Sequence, residues 1–174
     1  MPVPSRVSFR PATAADCAPL ARGVVEGVED YGAFAPPGWR GPSVEHEAEH
    51  LRGLLDDARV WCLLAEAEGE PVGQVTILPA SLAPHPIEDP EVAHFRNLFV
   101  RRDFWGGGLA GALHAAAVAA AGDRGFSSMR LFTPAGQARA RRFYEREGWV
   151  RAGGEFHDPA PGLVLVEYRY ALAG

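Results

Sequence analysis

His94-Phe95-Arg96-Asn97-Leu98-Phe99-Val100-Arg101-Arg102-Asp103-Phe104-Trp105-Gly106-Gly107-Gly108-Leu109-Ala110-Gly111 runs from an apolar strand pattern into a glycine-dense turn, and an alanine-rich stretch follows. A turn that opens a helix in this way leaves a row of backbone N–H groups unpaired at the positive end of the helix dipole. Such a cradle holds anions, phosphate above all. Gly106-x-Gly108-x-x-Gly111 also matches the dinucleotide-binding pattern letter for letter. Its context argues against that fold, which needs several parallel strands after the turn and an acidic residue at the end of the next strand. Here the next strand ends in Phe132-Thr133-Pro134, and few residues remain.

Working outward, the 174 residues, 47% hydrophobic and 22% charged, predict a single domain over 1–174 with a full-sized core. No apolar run is long enough to span a membrane, and Met1-Pro2-Val3-Pro4-Ser5-Arg6 lacks the apolar centre of a signal peptide. The expectation is a cytoplasmic protein with no membrane partner. A formal net charge of -5 disfavours nucleic acid as a partner and mildly favours a cationic small molecule. All 17 basic residues are arginine. Cys17 and Cys62 stand far apart and read as buried free thiols.

Val7 to Arg10 alternates as a strand, and Thr13 caps a helix whose apolar positions recur from Cys17 to Val28. Tyr31 to Pro42 is a loop rich in proline and glycine that carries Tyr31, Phe34 and Trp39. Ser43 opens a second amphipathic helix. Val60–Ala65 and Pro71–Leu78 form an antiparallel pair, and Pro79–Glu91 is a loop able to fold over a site. After the glycine turn come a small-residue helix from Leu109 to Ala121, a strand Ser128–Thr133 and a helix Gly136–Glu147. Trp149-Val150 and Leu163–Tyr170 supply the last strands, with His157–Gly162 as the turn between them. The order β-α-α-β-β-β-α-β-α-β-β predicts a mixed α/β (α+β) fold, a mostly antiparallel sheet flanked by helices with one parallel pair at the strand-helix-strand unit.

Residues 94–149 resemble the GCN5-related N-acetyltransferase (GNAT) superfamily. Leu98-Phe99-Val100 fills the apolar-aromatic-valine strand end, and Trp105-Gly106-Gly107-Gly108-Leu109-Ala110 fills the turn, with Trp105 where arginine or glutamine is usual. Gln137 to Trp149 is similar to the family signature Asn-x-x-Ala-x-x-Phe-Tyr-Glu-x-x-Gly-Phe. The resemblance implies acetyl-CoA as cofactor, its pyrophosphate on Gly106, Gly107, Gly108, Leu109, Ala110 and Gly111, and its pantetheine arm along Leu98, Phe99 and Val100. It places Gln137 at the pantetheine arm and makes Tyr144 both a cofactor contact and the acid that protonates the departing thiolate. Many members carry a catalytic glutamate six residues before the final valine of that strand, a place held here by His94, with Glu91 as a nearby carboxylate.

Several readings stay open at this point. Gln137, Ala140, Arg141 and Tyr144 share a helix face by spacing. Arg101 and Arg102 either meet the cofactor phosphates or form a solvated face, whereas Arg139, Arg142 and Arg146 read as a solvated face. The expected reaction moves an acetyl or short acyl group to the amine of a small molecule or peptide by direct attack in a ternary complex. Asp30, Tyr31, Phe34 and Trp39 are candidate acceptor walls. Two other classes compete, a catalytically silent acyl-CoA-binding domain and a zinc peptidase built on His46-Glu47-Ala48-Glu49-His50. No third ligand is evident for the latter, so no metal is expected. A homodimer is compatible with the sequence but not readable from it.

Overall fold

The computed structural model describes residues 6–174, so the short N-terminal stretch read for a signal peptide lies, apart from Arg6, outside the described residues. Seven strands form one sheet in the order β1-β2-β3-β4-β5-β7-β6. They are β1 (Val7–Pro11), β2 (Trp61–Ala67), β3 (Glu70–Pro79), β4 (Val92–Val100), β5 (Ser128–Pro134), β6 (Val150–Asp158) and β7 (Leu163–Ala171). Only β4 and β5 run parallel, as the strand-helix-strand unit between them requires. The helices are α1 (Cys17–Gly27), α2 (Val44–Leu55), α3 (Leu109–Asp123) and α4 (Ala138–Arg146). No helix among the described residues is long and apolar enough to cross a membrane.

The period of two along β2 separates two cores. Cys62 and Leu64 join Cys17, Leu20, Ala21 and Leu51 beneath α1 and α2. Ala65, with Phe95, Leu109, Leu113, Ala117, Met129 and Tyr144, builds the larger core beneath α3 and α4. Small alanines let α3 lie close to the sheet, and the buried His114 accepts a 2.9 Å hydrogen bond from the Trp149 indole N–H. Both cysteines are buried free thiols, and burial pushes the Cys62 thiol up to about 11.

Each helix start has a local cause. Ser43 Oγ accepts the His46 N–H at 3.1 Å and caps α2. Ahead of α1, Thr13 and Asp16 close a capping box around a 3-10 turn, Ala14–Asp16, so the regular helix begins later than the sequence suggests. A second 3-10 turn, Glu29–Ala33, takes over where α1 ends and begins the aromatic loop.

The largest departure from the sequence reading is β6. The expected two-residue strand at Trp149-Val150 is nine residues long and takes in His157 and Asp158, which the sequence pattern assigns to a turn. It is the exposed outer strand of the sheet, with Gly153-Gly154 at an irregularity in its pairing with β7. An edge strand of this kind lacks the apolar alternation that marks a strand in sequence.

Arg10 on β1 donates two hydrogen bonds to Asp16, at 2.8 and 2.9 Å, and two to Glu66 on β2, at 2.8 and 3.1 Å. The Arg10 guanidinium holds the Asp16 carboxyl down to about 2, against burial that works the other way. A carboxyl depressed on folding stabilises above its unfolded value and loses that contribution as pH falls through the folded one. Wild-type stability is therefore expected to drop between about pH 4 and pH 2, and Asp16→Asn to flatten that slope. Urea denaturation at a series of pH values checks it; an unchanged slope in Asp16→Asn contradicts the linkage.

Candidate active site

The parallel pairing of β4 with β5 covers only Val92↔Ser128, Ala93↔Met129 and His94↔Arg130. β4 continues to Val100 on its β3 side, passing an irregularity in register at Asn97, whose φ is +55°. Beyond His94 the edge of β4 that faces β5 has no strand partner. The two strands diverge, and a cleft of about 1020 Å³ opens where they do, lined by Leu98, Phe99 and Val100. An unpaired strand edge inside a cleft is a template for an extended ligand rich in amides.

At the end of β4 the chain turns through a 3-10 turn, Arg102–Phe104, into the glycine run. Gly106 and Gly108 adopt φ of +77° and +81°, a region that only glycine enters at little cost. The first helical bond of α3 is Ala112 N–H to Gly108 C=O at 3.0 Å, which leaves the N–H groups of Leu109, Ala110 and Gly111 without helical acceptors. Gly106, Gly108, Leu109, Ala110 and Gly111 line the cleft; Gly107 does not, because its N–H turns back toward Phe104 C=O at 3.4 Å. A Cβ added at Gly111 would meet nothing within 4 Å. Packing therefore does not require glycine there, and its absent side chain leaves the helix backbone open to close approach.

Trp105 has a specific job in this turn. Its indole N–H donates to Val100 C=O at 2.8 Å, tying the turn to the end of β4. The Arg139 guanidinium lies 3.1 Å from the ring centroid and that of Arg102 4.9 Å from it. The indole thus gathers two cations beside the glycine turn. Arg102 also pairs with Asp30 at 2.8 Å, while Arg101 pairs with Asp103 and does not line the cleft.

The expected solvated face of α4 is exposed, and it borders the cleft. Arg139, Arg142 and Arg146 all line the cleft. Their spacing of three and four is a helical stripe next to the Gln137, Ala140 and Tyr144 face, so a solvated face by sequence is at once a rim of the cleft. Arg141 leaves the predicted face for the opposite reason. It donates to Ala135 C=O at 2.9 Å and to the Tyr168 hydroxyl at 3.2 Å, outside the cleft.

Gln137 caps α4, and with Ala140 and Tyr144 it faces the cleft. The Tyr144 ring is buried against Phe95 and Trp149, yet its hydroxyl bonds to no described residue. Tyr168, 6.3 Å away between ring centroids, shows the contrast: its hydroxyl donates to Glu145 at 2.7 Å and accepts from Arg141. Burial, with Tyr31 adding to it, pushes the Tyr144 hydroxyl well above its ordinary value and keeps it protonated. One tyrosine of the pair is a satisfied core residue, and the other presents a proton to the cleft.

His94 does not line the cleft. It is buried on the face of β4 turned away from α3, and its Nδ1 accepts from Arg130 Nε at 3.2 Å. Burial first, then the nearby guanidinium groups of Arg130 and Arg96, hold its pKa well below the usual histidine value. That keeps the ring neutral but leaves it a weak base. The loop after β3 does fold over this region, for Pro84 and His85 carbonyls accept from Arg130 and the His85 ring meets Asp158 at 2.8 Å. It does not reach the cleft.

Among the expected acceptor walls, Asp30 stands at the cleft in its ion pair with Arg102, a place set by charge and not by the acceptor side. Tyr31, Phe34 and Trp39 cluster with ring centroids 5.2 and 6.0 Å apart and lie outside the lining of the cleft. The Trp39 indole donates to Pro161 C=O at 2.7 Å, and Phe34 covers Gly136 so closely that a Cβ there would sit 2.5 Å from its ring. His46, Glu47 and His50 sit on α2, and no group of three or more metal-ligating side chains occurs among the described residues.

The model of the acetyltransferase (GNAT) family matches residues 26–149. No curated protein matches the chain. Among solved structures, an acetyltransferase from Thermus thermophilus is 24% identical with a TM-score of 0.71, covering 99% of this chain and 100% of its own. A ribosomal-protein-alanine N-acetyltransferase from Brucella melitensis is 22% identical with a TM-score of 0.72, covering 95% and 99%. The aminoglycoside acetyltransferase AAC(6')-Ib, in complex with coenzyme A, is 24% identical with a TM-score of 0.70, covering 95% and 94%. At these identities the likeness is one of fold. With a family match over well more than half its length, a seven-stranded sheet that opens between β4 and β5, and a glycine cradle at that opening, this chain belongs to the GNAT acetyltransferase family.

Proposed function

We propose that the protein is an N-acetyltransferase that moves an acetyl or short acyl group from acetyl-CoA to the amine of a small molecule or peptide, by direct attack in a ternary complex. Acetyl-CoA, the cofactor the family uses, supplies an activated thioester. The residues present fit it. Open space over Gly111, free N–H groups at the start of α3 and the guanidinium groups of Arg102 and Arg139 suit a pyrophosphate. The unpaired edge of β4 at Leu98, Phe99 and Val100 suits the amides of a pantetheine arm, with Gln137 opposite.

The single observation that carries an enzyme over a silent binding domain is Tyr144. Its hydroxyl is held protonated, lacks a protein partner and faces the cleft, which is what a donor to a departing thiolate needs. In this reading a β4 backbone N–H polarises the acyl carbonyl. The amine loses its proton to a base other than His94, whose Nδ1 is spent on Arg130. Tyr31, Phe34 and Trp39 close the acceptor side, and a cytoplasmic, single-domain protein over 1–174 is part of the same proposal.

Two substitutions test this reading in separate ways. Gly111→Ala is expected to keep or raise thermal stability, since alanine gains up to about 1 kcal/mol in a helix, while weakening coenzyme A binding by about tenfold or more. Calorimetric titration and a thermal melt read the two effects, and unchanged affinity would retire the cradle.

Tyr144→Phe is expected to lower kcat by roughly tenfold to a few hundredfold, ~1.4 to 3 kcal/mol, with coenzyme A affinity nearly unchanged. Coenzyme A release over a broad panel of amines is the assay. Full turnover in the variant removes Tyr144 as the acid, and binding without turnover in the wild type favours the silent domain.

A further inference from the structure

Six of the arginines are buried or half-buried, and five of them have acceptors. Arg130 reaches His94 and the carbonyls of Pro84 and His85. Arg10 holds Asp16 and Glu66, Arg101 holds Asp103, Arg141 holds Tyr168 and Ala135, and Arg169 holds Glu167. Arg96 is the exception. It lies on β4 opposite Thr76, and among the described residues it makes no side-chain hydrogen bond, no ion pair within 4 Å and no stack on an aromatic ring.

Its surroundings place it on the acceptor side of the sheet. Phe95 points toward α3 and meets His114 and Tyr144, so its neighbours His94 and Arg96 take the other face, toward α1 and α2. Burial lowers the basicity of both Arg96 and His50 on α2, the Arg96 charge lowers that of His50 further, and Glu47 opposes this at both from beyond ion-pair distance. Farther along the same face, Phe99 packs against Gly23 and Gly27 of α1. The guanidinium therefore sits below the helix that follows the aromatic loop, deep in the fold yet reached by solvent, with no counter-charge within ion-pair distance.

Holding a cation deep in the fold without a protein acceptor costs free energy, which pairing with a ligand's anion offsets. We propose that Arg96 binds an anionic oxyacid group, a carboxylate or a phosphate, carried by the same molecule whose amine is acylated. The planar guanidinium fork matches either anion with two parallel hydrogen bonds. A strand advances ~3.3 Å per residue, so Arg96 lies within roughly 7 Å of the Leu98 backbone along β4. The anion and the attacking amine are then separated by a short chain of a few carbons. The proposal rests on the acyl-transfer reading above, and it runs against the expectation from net charge, because the local unpaired cation outweighs a diffuse surplus of surface acids.

The test uses the full chain with acetyl-CoA and matched amines: β-alanine and 4-aminobutyrate against their amides, O-phosphoethanolamine against ethanolamine, and spermidine as a polycation. Expected is a kcat/KM for at least one anionic member about tenfold or more above its neutral partner, carried mainly by KM. Arg96→Gln should erase that ratio without changing the thermal melt greatly, and Arg96→Lys should restore part of it. Which anionic series responds identifies carboxylate or phosphate. Neutral amines or spermidine performing as well as the anionic members in the wild type overturn the proposal, as does a ratio that survives in Arg96→Gln.

If no amine releases coenzyme A, the acyl-transfer reading fails by itself, and calorimetric titration of the same compounds decides the role of Arg96. Binding of the anionic compounds to the wild type and not to Arg96→Gln sustains the anion site. Absence of binding to both, or equal binding to both, overturns it.

Discussion

The structure depends on a pairing that stops. β4 and β5 run side by side for three residues and then part, because β4 bends at Asn97 while β5 stays with β7. Everything at the candidate site follows from that divergence. It exposes a strand edge in the middle of the sheet, where an unpaired edge would normally be a liability, and it makes room for the start of α3 and one face of α4 to reach the same opening. Asn97 carries the strain of the bend, with a positive φ and a buried Nδ2 that bonds to no described group. A local cost of this kind concentrates where function needs an unusual backbone path.

The second theme is the use of arginine. The sequence has no lysine, and among its guanidinium groups some tie chain segments together, some stack on aromatic rings such as Trp105, and Arg96 lies deep in the fold with no acceptor among the described residues. The planar group suits the first two because it can stack on a ring and donate in its own plane at once. Trp105 shows how a residue without charge can bring charge to the glycine turn: it recruits its cations from Arg102 and from Arg139.

Most of the architecture was legible in the sequence because apolar periodicity and glycine or proline punctuation agree along β1 to β5 and through all four helices. β6 was not, since an exposed edge strand interrupted by Gly153-Gly154 carries no such signal. At the site, the glycine turn opening α3 and the shared face of Gln137, Ala140 and Tyr144 followed from spacing, which also put Arg141 on that face, where it is not. The environment of His94 did not, because its donor, Arg130, is 36 residues away and meets it only through the parallel pairing. For the same reason the sequence could mark Arg139, Arg142 and Arg146 as charged but not as facing the cleft, and could not single out Arg96 from sixteen other arginines. Partnerlessness is a property of three dimensions.

The bond from Trp39 to Pro161 joins segments 122 residues apart in the chain. Together with Phe34 seated on Gly136, it turns the aromatic loop from a flap hinged at one end into an arch with footings on the β6–β7 turn and on the segment before α4. An arch transmits changes at its footings to its span. Alterations near Gly136 or Pro161, neither of them in the loop, shift Phe34 and Trp39 within it, so the shape of this one loop is written in three separate stretches of sequence.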